Sequence, residues 1–291
     1  MSISGQNLSI VIVTLKSDNV IHNCIKSIDA SIPIIVVENS KNSSFKEEIE
    51  SRYKNVKCIL SQENLGMGAG NNIGIKYAKT NYVLILNPDV TLQKDALENI
   101  FEASKLIEDF SILAPISLDD NFPNYKIFKN RKRVLKNTLP FKVDNIDGFA
   151  MLLNKSKFKE NIFFDEKFFL FLENDDLCLR VNKNGGSVFI IPTSKINHLG
   201  SHAVNSKYKT EVELSRNWHW LWSKYYFNKK NFGFMSALIE CLPTFFSSIL
   251  KILFYMIIRN DIEKKKNFNR ASGFYNALIG KPSWYRPNIN D

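Results

Sequence analysis

The run Val83-Leu-Ile-Leu-Asn-Pro-Asp89-Val90 decides the fold. Its four apolar residues have no polar alternation, so they read as a strand buried on both faces, and Asn87-Pro88 stop it. Asp89 is then presented at the strand's C-terminal end, the edge at which open α/β sheets bind ligands. Working back toward the N-terminus, residues 8–14, 34–37 and 56–60 read as three more buried strands. Residues 20–30, 44–52 and 68–79 carry helical spacing between them. Strand and helix thus alternate through the first 90 residues or so, as in a doubly wound, mostly parallel sheet flanked by helices.

Downstream of Asp89 the pattern predicts a helix at 93–107 and a strand at 111–114. A polar, Lys/Arg-rich loop follows over 118–142, with its basic part at 126–136. Beyond it come a strand at 148–153, a short helix at 155–160, an aromatic strand leading to Glu173, an amphipathic helix at 176–185 and a strand at 187–192. The composition changes near residue 205, which predicts two domains, 1–205 and 206–291. In the second, aromatic residues crowd positions 218–227, and 232–258 is strongly apolar but interrupted by Glu240, Pro243 and Lys251. A membrane span needs about 20 apolar residues without such breaks. A pair of amphipathic helices, broken at Pro243 and lying on a membrane surface, is therefore the expectation. A helical appendage packed on the main domain, or the interface of a homo-oligomer, is the alternative.

The net charge is +10, from 39 basic and 29 acidic residues. It favours anionic partners: nucleotide diphosphates, lipid phosphates or nucleic acid. No nucleic-acid-binding motif accompanies it, and the acidic cluster near 173–176 opposes that partner. Cys24, Cys58, Cys178 and Cys241 are scattered, with no metal-binding or disulfide pattern. Ile10–Val13 is too short for the apolar core of a signal peptide. A cytoplasmic protein is expected, with its C-terminal region at the inner face of the cell membrane.

Three groups of residues carry candidate chemistry. Thr14, Glu38 and Asp89 end predicted parallel strands and so share one rim of the sheet, where a hydroxyl and a carboxylate can read a ribose or a pyrimidine edge. Asn64-Leu-Gly66-Met-Gly-Ala-Gly-Asn-Asn72-Ile-Gly74 is a glycine-rich segment entering a helix. It lacks the Gly-Lys-Ser/Thr of a P-loop, and it follows the third strand, not the first. Phosphate binding and tight packing explain it equally. Glu173, Asp175 and Asp176 set three carboxylates within four positions at a helix start. Capping accounts for one of them, and a remaining carboxylate suits a general base. His198, before Leu199-Gly200, can join Asp89 around Mg2+ or Mn2+ bound to diphosphate oxygens.

Taken in order, Ile10-Val-Ile-Val-Thr14, Val36-Val-Glu38-Asn-Ser40, Asn64-Leu-Gly66, Asn71-Asn72-Ile-Gly74, Asn87-Pro-Asp89, Gly148-Phe-Ala-Met-Leu152, Glu173-Asn-Asp-Asp-Leu177 and His198-Leu-Gly200 resemble the family 2 glycosyltransferases. These have the GT-A fold, and the likeness is strongest to their bacterial rhamnosyltransferase-like branch. It covers about residues 8–205. The resemblance implies an inverting, metal-dependent hexosyltransferase that acts in surface polysaccharide synthesis. Its donor would be a nucleotide-diphosphate sugar, with dTDP-L-rhamnose first and a UDP-hexose or UDP-galactofuranose as alternatives. Its acceptor would be a glycan or lipid-linked glycan. The resemblance also implies that Asp89 and His198 are metal ligands, that Asn87 stands for the first Asp of the Asp-x-Asp motif, and that Thr14 and Glu38 contact base or ribose. The family often places its base directly after the Glu, where this chain has Asn174, which takes no proton. The role passes to Glu173, Asp175 or Asp176, with Glu173 favoured. Asn174 also leaves room for a catalytically silent nucleotide-sugar-binding scaffold.

Overall fold

The computed structural model describes residues 5–107, 109–119, 123–127, 138–200 and 202–289. Most of the basic loop expected at 126–136 lies outside them. The chain divides into two compact units. The first comprises Met1–Leu65, Ala69–Asp165 and Asn174–Asn205, and the second Gly66–Gly68, Glu166–Glu173 and Ser206–Asp291.

The elements in chain order are β1 (Leu8–Thr14), α1 (Asp18–Lys26), β2 (Ile34–Glu38), α2 (Ser43–Arg52), β3 (Val56–Leu60), α3 (Gly66–Tyr77), β4 (Tyr82–Leu86), β5 (Val90–Leu92), α4 (Ala96–Leu106), β6 (Ile112–Ser117), β7 (Tyr125–Lys126), β8 (Phe141–Val143), β9 (Asn145–Ile146), β10 (Ala150–Asn154), α5 (Glu173–Lys183), β11 (Val188–His198), α6 (Lys209–Phe232), α7 (Phe234–Ile257) and α8 (Asp261–Leu278). Among the described residues, the first unit holds a nine-stranded sheet in the order β3-β2-β1-β4-β10-β6-β11-β5, with β8 also on β11. β1 is parallel to β2 and β4, and β2 to β3. β10 then runs antiparallel between β4 and β6, and β11 returns parallel to β6. The sheet is mostly parallel and flanked by helices, as the sequence predicts.

All residues of β1, β2 and β4 are buried, which is why these strands show no alternation in sequence. Full burial of each apolar side chain contributes about 1.5–3 kcal/mol. Ile21, Cys24 and Ile25 form the inward stripe of α1, and the Asn42 side chain caps α2 by accepting the Phe45 N–H at 3.0 Å. α3 lies close over β1. A Cβ on Gly70 would stand 2.9 Å from Val13 Cγ1, and one on Gly74 would overlap Val11. Of the two explanations for the glycine-rich segment, packing accounts for these two positions.

Several expectations are corrected. Residues 168–172 form no strand. Phe171 and Leu172 take positive φ values of 70° and 66°, so the chain turns there, and Glu173 already begins α5. The helix expected from residue 93 is preceded by β5 and starts at Ala96. The strand expected to end at residue 192 continues to His198, because its second half pairs with β5. The short helix at 155–160 is a pair of 3-10 turns.

In the second unit, α6, α7 and α8 pack as three helices around Trp218, Leu221, Trp222, Tyr225, Cys241 and Phe274. Each buried indole finds an acceptor, with Trp218 Nε1 donating to Ser272 Oγ at 3.3 Å and Trp222 Nε1 to the Lys281 carbonyl at 3.1 Å. Gly273 lets α8 approach α6 so closely that a Cβ there would overlap the Trp218 carbonyl. The expected pair of helices broken at Pro243 is instead one continuous 24-residue helix, α7. A proline removes a single N–H from the ladder, and the hydrogen bonds on either side carry the helix through. By length and composition α7 is the one helix among the described residues able to cross a membrane, yet only 17% of its most apolar window is buried.

Candidate active site

The first unit gathers most of the candidate residues at the C-terminal ends of its parallel strands. Asp89 stands three residues beyond β4 and is 2% exposed. β5 leaves Asp89 and pairs antiparallel with the end of β11, setting His198 opposite Val90. This pairing brings His198 Nε2 to 3.4 Å from Asp89 Oδ1. The imidazole is held from its other side by Phe149, stacked on it with ring centroids 4.1 Å apart. The backbone N–H of His202 donates to Asp89 Oδ2 at 3.3 Å, and the Leu199 N–H to the Asp89 carbonyl at 3.1 Å.

Asp89 Oδ1 is buried and accepts no hydrogen bond among the described residues. A buried carboxylate oxygen without a donor costs free energy unless a cation or solvent reaches it. An oxygen and an imidazole nitrogen converging in this way suit a divalent cation of the Mg2+ or Mn2+ type. The described residues hold no cluster of three or more His, Cys, Asp or Glu side chains placed for a metal. Asp89 and His198 are thus a pair of candidate ligand side chains and not part of a larger cluster among the described residues. Asn87, two residues before Asp89, also has a buried Oδ1 with no hydrogen-bond partner among the described residues.

Thr14 and Glu38 are register partners at the ends of β1 and β2. They are turned toward each other, with Thr14 Oγ1 donating to Glu38 Oε2 at 2.5 Å. Glu38 Oε1 accepts the Ser40 N–H at 2.7 Å and also the Ser40 hydroxyl. Burial pushes the Glu38 carboxyl above the usual carboxylate range, while the bonds from Ser40 and Thr14 pull the other way. Both residues are sealed, each 1% exposed, so this pair braces the rim from within. Asn72 is likewise committed to the chain itself. Its side chain exchanges two bonds with the backbone of Phe164, at 2.9 and 3.0 Å. Asn64 follows β3 and is half-buried.

The three carboxylates at the start of α5 have different surroundings. Asp176 has a fully buried side chain and is ion-paired with Arg180 at 2.9 Å, and Arg180 also donates to the Phe163 carbonyl. That pair anchors the helix. Asp175 accepts from Asn145 Nδ2 at 2.5 Å and lies 3.5 Å from Lys126 Nζ. Asn174 donates to the Ile146 carbonyl at 2.8 Å, and a Cβ on Gly148 would come within 3.3 Å of its own Cβ. In the second unit, Glu173 is buried. There too, Gly66 takes a φ of +80°, and a Cβ on it would overlap the Phe169 carbonyl. The adjoining Met67 N–H already donates to that carbonyl at 3.0 Å. The Met67 amide at this helix start is thus engaged within the chain.

Asp147 escapes sequence reasoning. It lies between Asn145, which holds Asp175, and Phe149, which holds His198, so the backbone carries it to the same rim. Burial raises its carboxyl above the usual range. Lys126 and His198 oppose that rise, and the neighbouring Asp175 adds to it. Its sequence signal is faint, a single acidic residue in Asp147-Gly148 before the strand at 150.

The chain resembles several known proteins. The low-salt glycan biosynthesis hexosyltransferase Agl10 of Haloferax volcanii is 27% identical over 94% of this chain and 91% of its own length. An N-acetylglucosaminyl-diphospho-decaprenol L-rhamnosyltransferase of Mycobacterium tuberculosis is 20% identical, over 59% of this chain and 68% of its own. Among solved structures, the mannosyltransferase PcManGT from Pyrobaculum calidifontis, in complex with GDP-Man and Mn2+, superposes with a TM-score of 0.54. It is 10% identical, covering 94% of this chain and 87% of that one, a likeness of fold of the GT-A kind. The model of "Glycosyl transferase family 2" matches residues 9–162, more than half of the 291, and takes in Thr14 and Glu38 at the ends of β1 and β2 and Asp89 beyond β4. The chain belongs to glycosyl transferase family 2.

Proposed function

We propose that the chain is an inverting hexosyltransferase that takes a sugar from a nucleotide diphosphate and delivers it to a hydroxyl of a glycan or lipid-linked glycan in the cytoplasm. dTDP-L-rhamnose is the preferred donor, in keeping with the rhamnosyltransferase among its relatives. A UDP-hexose or UDP-galactofuranose donor is the second reading, and the name of the hexosyltransferase Agl10 is compatible with either donor class. The observation that carries the proposal is the buried Asp89 Oδ1, which has no hydrogen-bond donor among the described residues and has His198 Nε2 3.4 Å away at the rim of the sheet. Asp89 and His198 would hold Mg2+ or Mn2+. The bound cation would offset charge on a departing diphosphate. Asn87 and Asn64 would line the donor side, and Thr14 and Glu38 would shape the base pocket from beneath.

On the acceptor side, a carboxylate removes the hydroxyl proton while that oxygen attacks the anomeric carbon. The new carbon–oxygen bond forms as the bond to the diphosphate oxygen breaks, and the configuration inverts. Glu173 and Asp147 are the candidates for this step, since Asp176 is tied to Arg180 and Asp175 to Lys126 and Asn145 in pairs that hold the start of α5. Asp147 is the stronger candidate. It is partly open to solvent and its basicity is raised by burial, which suits proton abstraction.

The test is transfer by purified protein across a panel of nucleotide sugars with Mn2+ present. One donor should be turned over, and Asp89→Ala should lower that turnover by about 10²–10³-fold, the usual cost of losing one electrostatic contact to a developing charge. Near-normal turnover of Asp89→Ala in saturating metal would sink the cation assignment. Donor binding without turnover by the wild-type protein would mark it as a scaffold. Asp147→Asn should abolish the acid limb of the pH–rate profile while donor binding persists. If Glu173→Gln does so instead, the base is Glu173.

A further inference from the structure

We propose that α7 docks on the surface of an anionic lipid bilayer and lies in its plane. Met235, Ile239, Phe246, Leu250, Leu253 and Ile257 recur at helical spacing along one side of α7, and their exposure runs from 54% at Leu253 to 80% at Ile257. Six large apolar side chains in one solvent-facing stripe are far more than scattered surface residues require. Ala237, Cys241 and Ser248 mark the buried side of the same helix. The polar residues Glu240, Thr244, Ser247 and Lys251 fall on neither stripe. The helix therefore has an inner face, an outer apolar face and a polar edge, as an interfacial helix does.

The packing of the second unit selects the surface orientation over a span. α7 packs against α6 and α8, and Lys224 of α6 pairs with Glu240 of α7 at 3.0 Å. α8 carries Asp261, Glu263, Lys264, Lys265, Lys266 and Arg270. A spanning α7 would have to abandon both partners or draw these charges into hydrocarbon, at about 2.5–3.5 kcal/mol for each charged residue. Lying in the interface, α7 buries its outer stripe and keeps its partners in water.

Charge indicates what covers the stripe. Residues 206–291 hold fourteen Lys and Arg against six Asp and Glu, which is +8 of the chain's +10. Residues 1–205 hold 25 against 23. An anionic headgroup layer attracts such a segment, by about 1 kcal/mol for each basic residue near the surface. A second copy of the same segment is repelled by it.

The experiment is co-sedimentation of the full chain with vesicles of phosphatidylglycerol and phosphatidylcholine, or of phosphatidylcholine alone, beside a Leu250→Glu/Leu253→Glu double variant. The wild-type protein should bind the anionic vesicles, bind the neutral ones weakly, and be released by raising salt from about 0.1 to about 0.5 M. The double variant should bind at least about tenfold more weakly, because two side chains of the stripe no longer enter the apolar layer and two carboxylates meet the anionic headgroups. Its melting temperature should stay the same, because both side chains are already in solvent. Equal binding by the variant overturns the proposal, as does wild-type protein that ignores anionic vesicles. Protein that stays with the vesicles through salt and alkaline carbonate refutes the in-plane orientation. A wild-type dimer that the variant turns into monomer assigns the stripe to a second copy. None of these readouts depends on the sugar-transfer reading.

Discussion

In the first unit, β1, β2 and β4 leave no residue outside, and the polar atoms that remain buried converge at the strand ends. In the second, Trp218, Trp222 and Tyr225 are as well covered, yet α7 leaves a row of large apolar side chains in solvent. The first unit is nearly neutral in residues 1–205, whereas residues 206–291 carry most of the positive charge. One interior is complete and exposes chemistry at its edge. The other is complete on one side only, and what it lacks is a surface to meet. A buried core strand and a helix with an exposed apolar stripe can be equally apolar in sequence, and burial separates them.

The comparison can be broken first at its cores. Leu84→Ala in β4 should cost about 2–5 kcal/mol and Trp218→Ala in α6 about 3–5 kcal/mol, because both side chains are fully buried. Denaturant unfolding measures both, and a loss under about 1 kcal/mol at either site would mean that core is looser than its burial implies.

A sharper probe is acid. His219 is buried, with its Nε2 2.7 Å from the Tyr285 carbonyl and its Nδ1 3.1 Å from Ser283 Oγ. Burial lowers its pKa from 6.5 to about 3. The folded state thus refuses a proton that the unfolded chain accepts. Stability should be full above pH 6.5 and fall as the pH drops toward 3, by up to about 1.4 kcal/mol per pH unit. His219→Gln should flatten that slope. An unchanged slope would show that other groups carry the acid sensitivity.

The smallest effect is expected on the outer stripe. Leu250→Ala, at 67% exposure, should shift unfolding by no more than about 0.5 kcal/mol, as surface substitutions do. A larger loss in the isolated protein would mean that α7 is covered in solution.

The parallel strands were legible because burial on both faces writes an unbroken apolar run, and Asp89 because a proline marks where its strand stops. His198 could be proposed as a ligand, but what carries it to Asp89 could not be read. β5 has three residues, and it exists through its pairing with β11. Asp147 was hidden for a related reason. Its neighbours come from β7, α5 and β11, which are distant in sequence and meet only because β10 is inserted antiparallel between β4 and β6. The aromatic run at 168–172 imitated a strand because apolar content says nothing of φ, and there the chain turns. Pro243 misled in the opposite sense, since a single missing donor does not end a helix whose neighbours hold it.

β11 carries an irregularity of its own. Ile191 faces Pro115 and Lys195 faces Ile116, so three residues of β11 bulge out where β6 advances by one. Side chains along a strand alternate, and whatever lies beyond such a bulge has its direction fixed by the bulge's length. The aim of His198 therefore depends on Pro192-Thr193-Ser194 as well as on the pairing with β5. Lengthening or shortening that stretch by one would press the far half of β11 toward the opposite facing, against its pairing with β5, while leaving Asp89 and His198 unchanged in sequence.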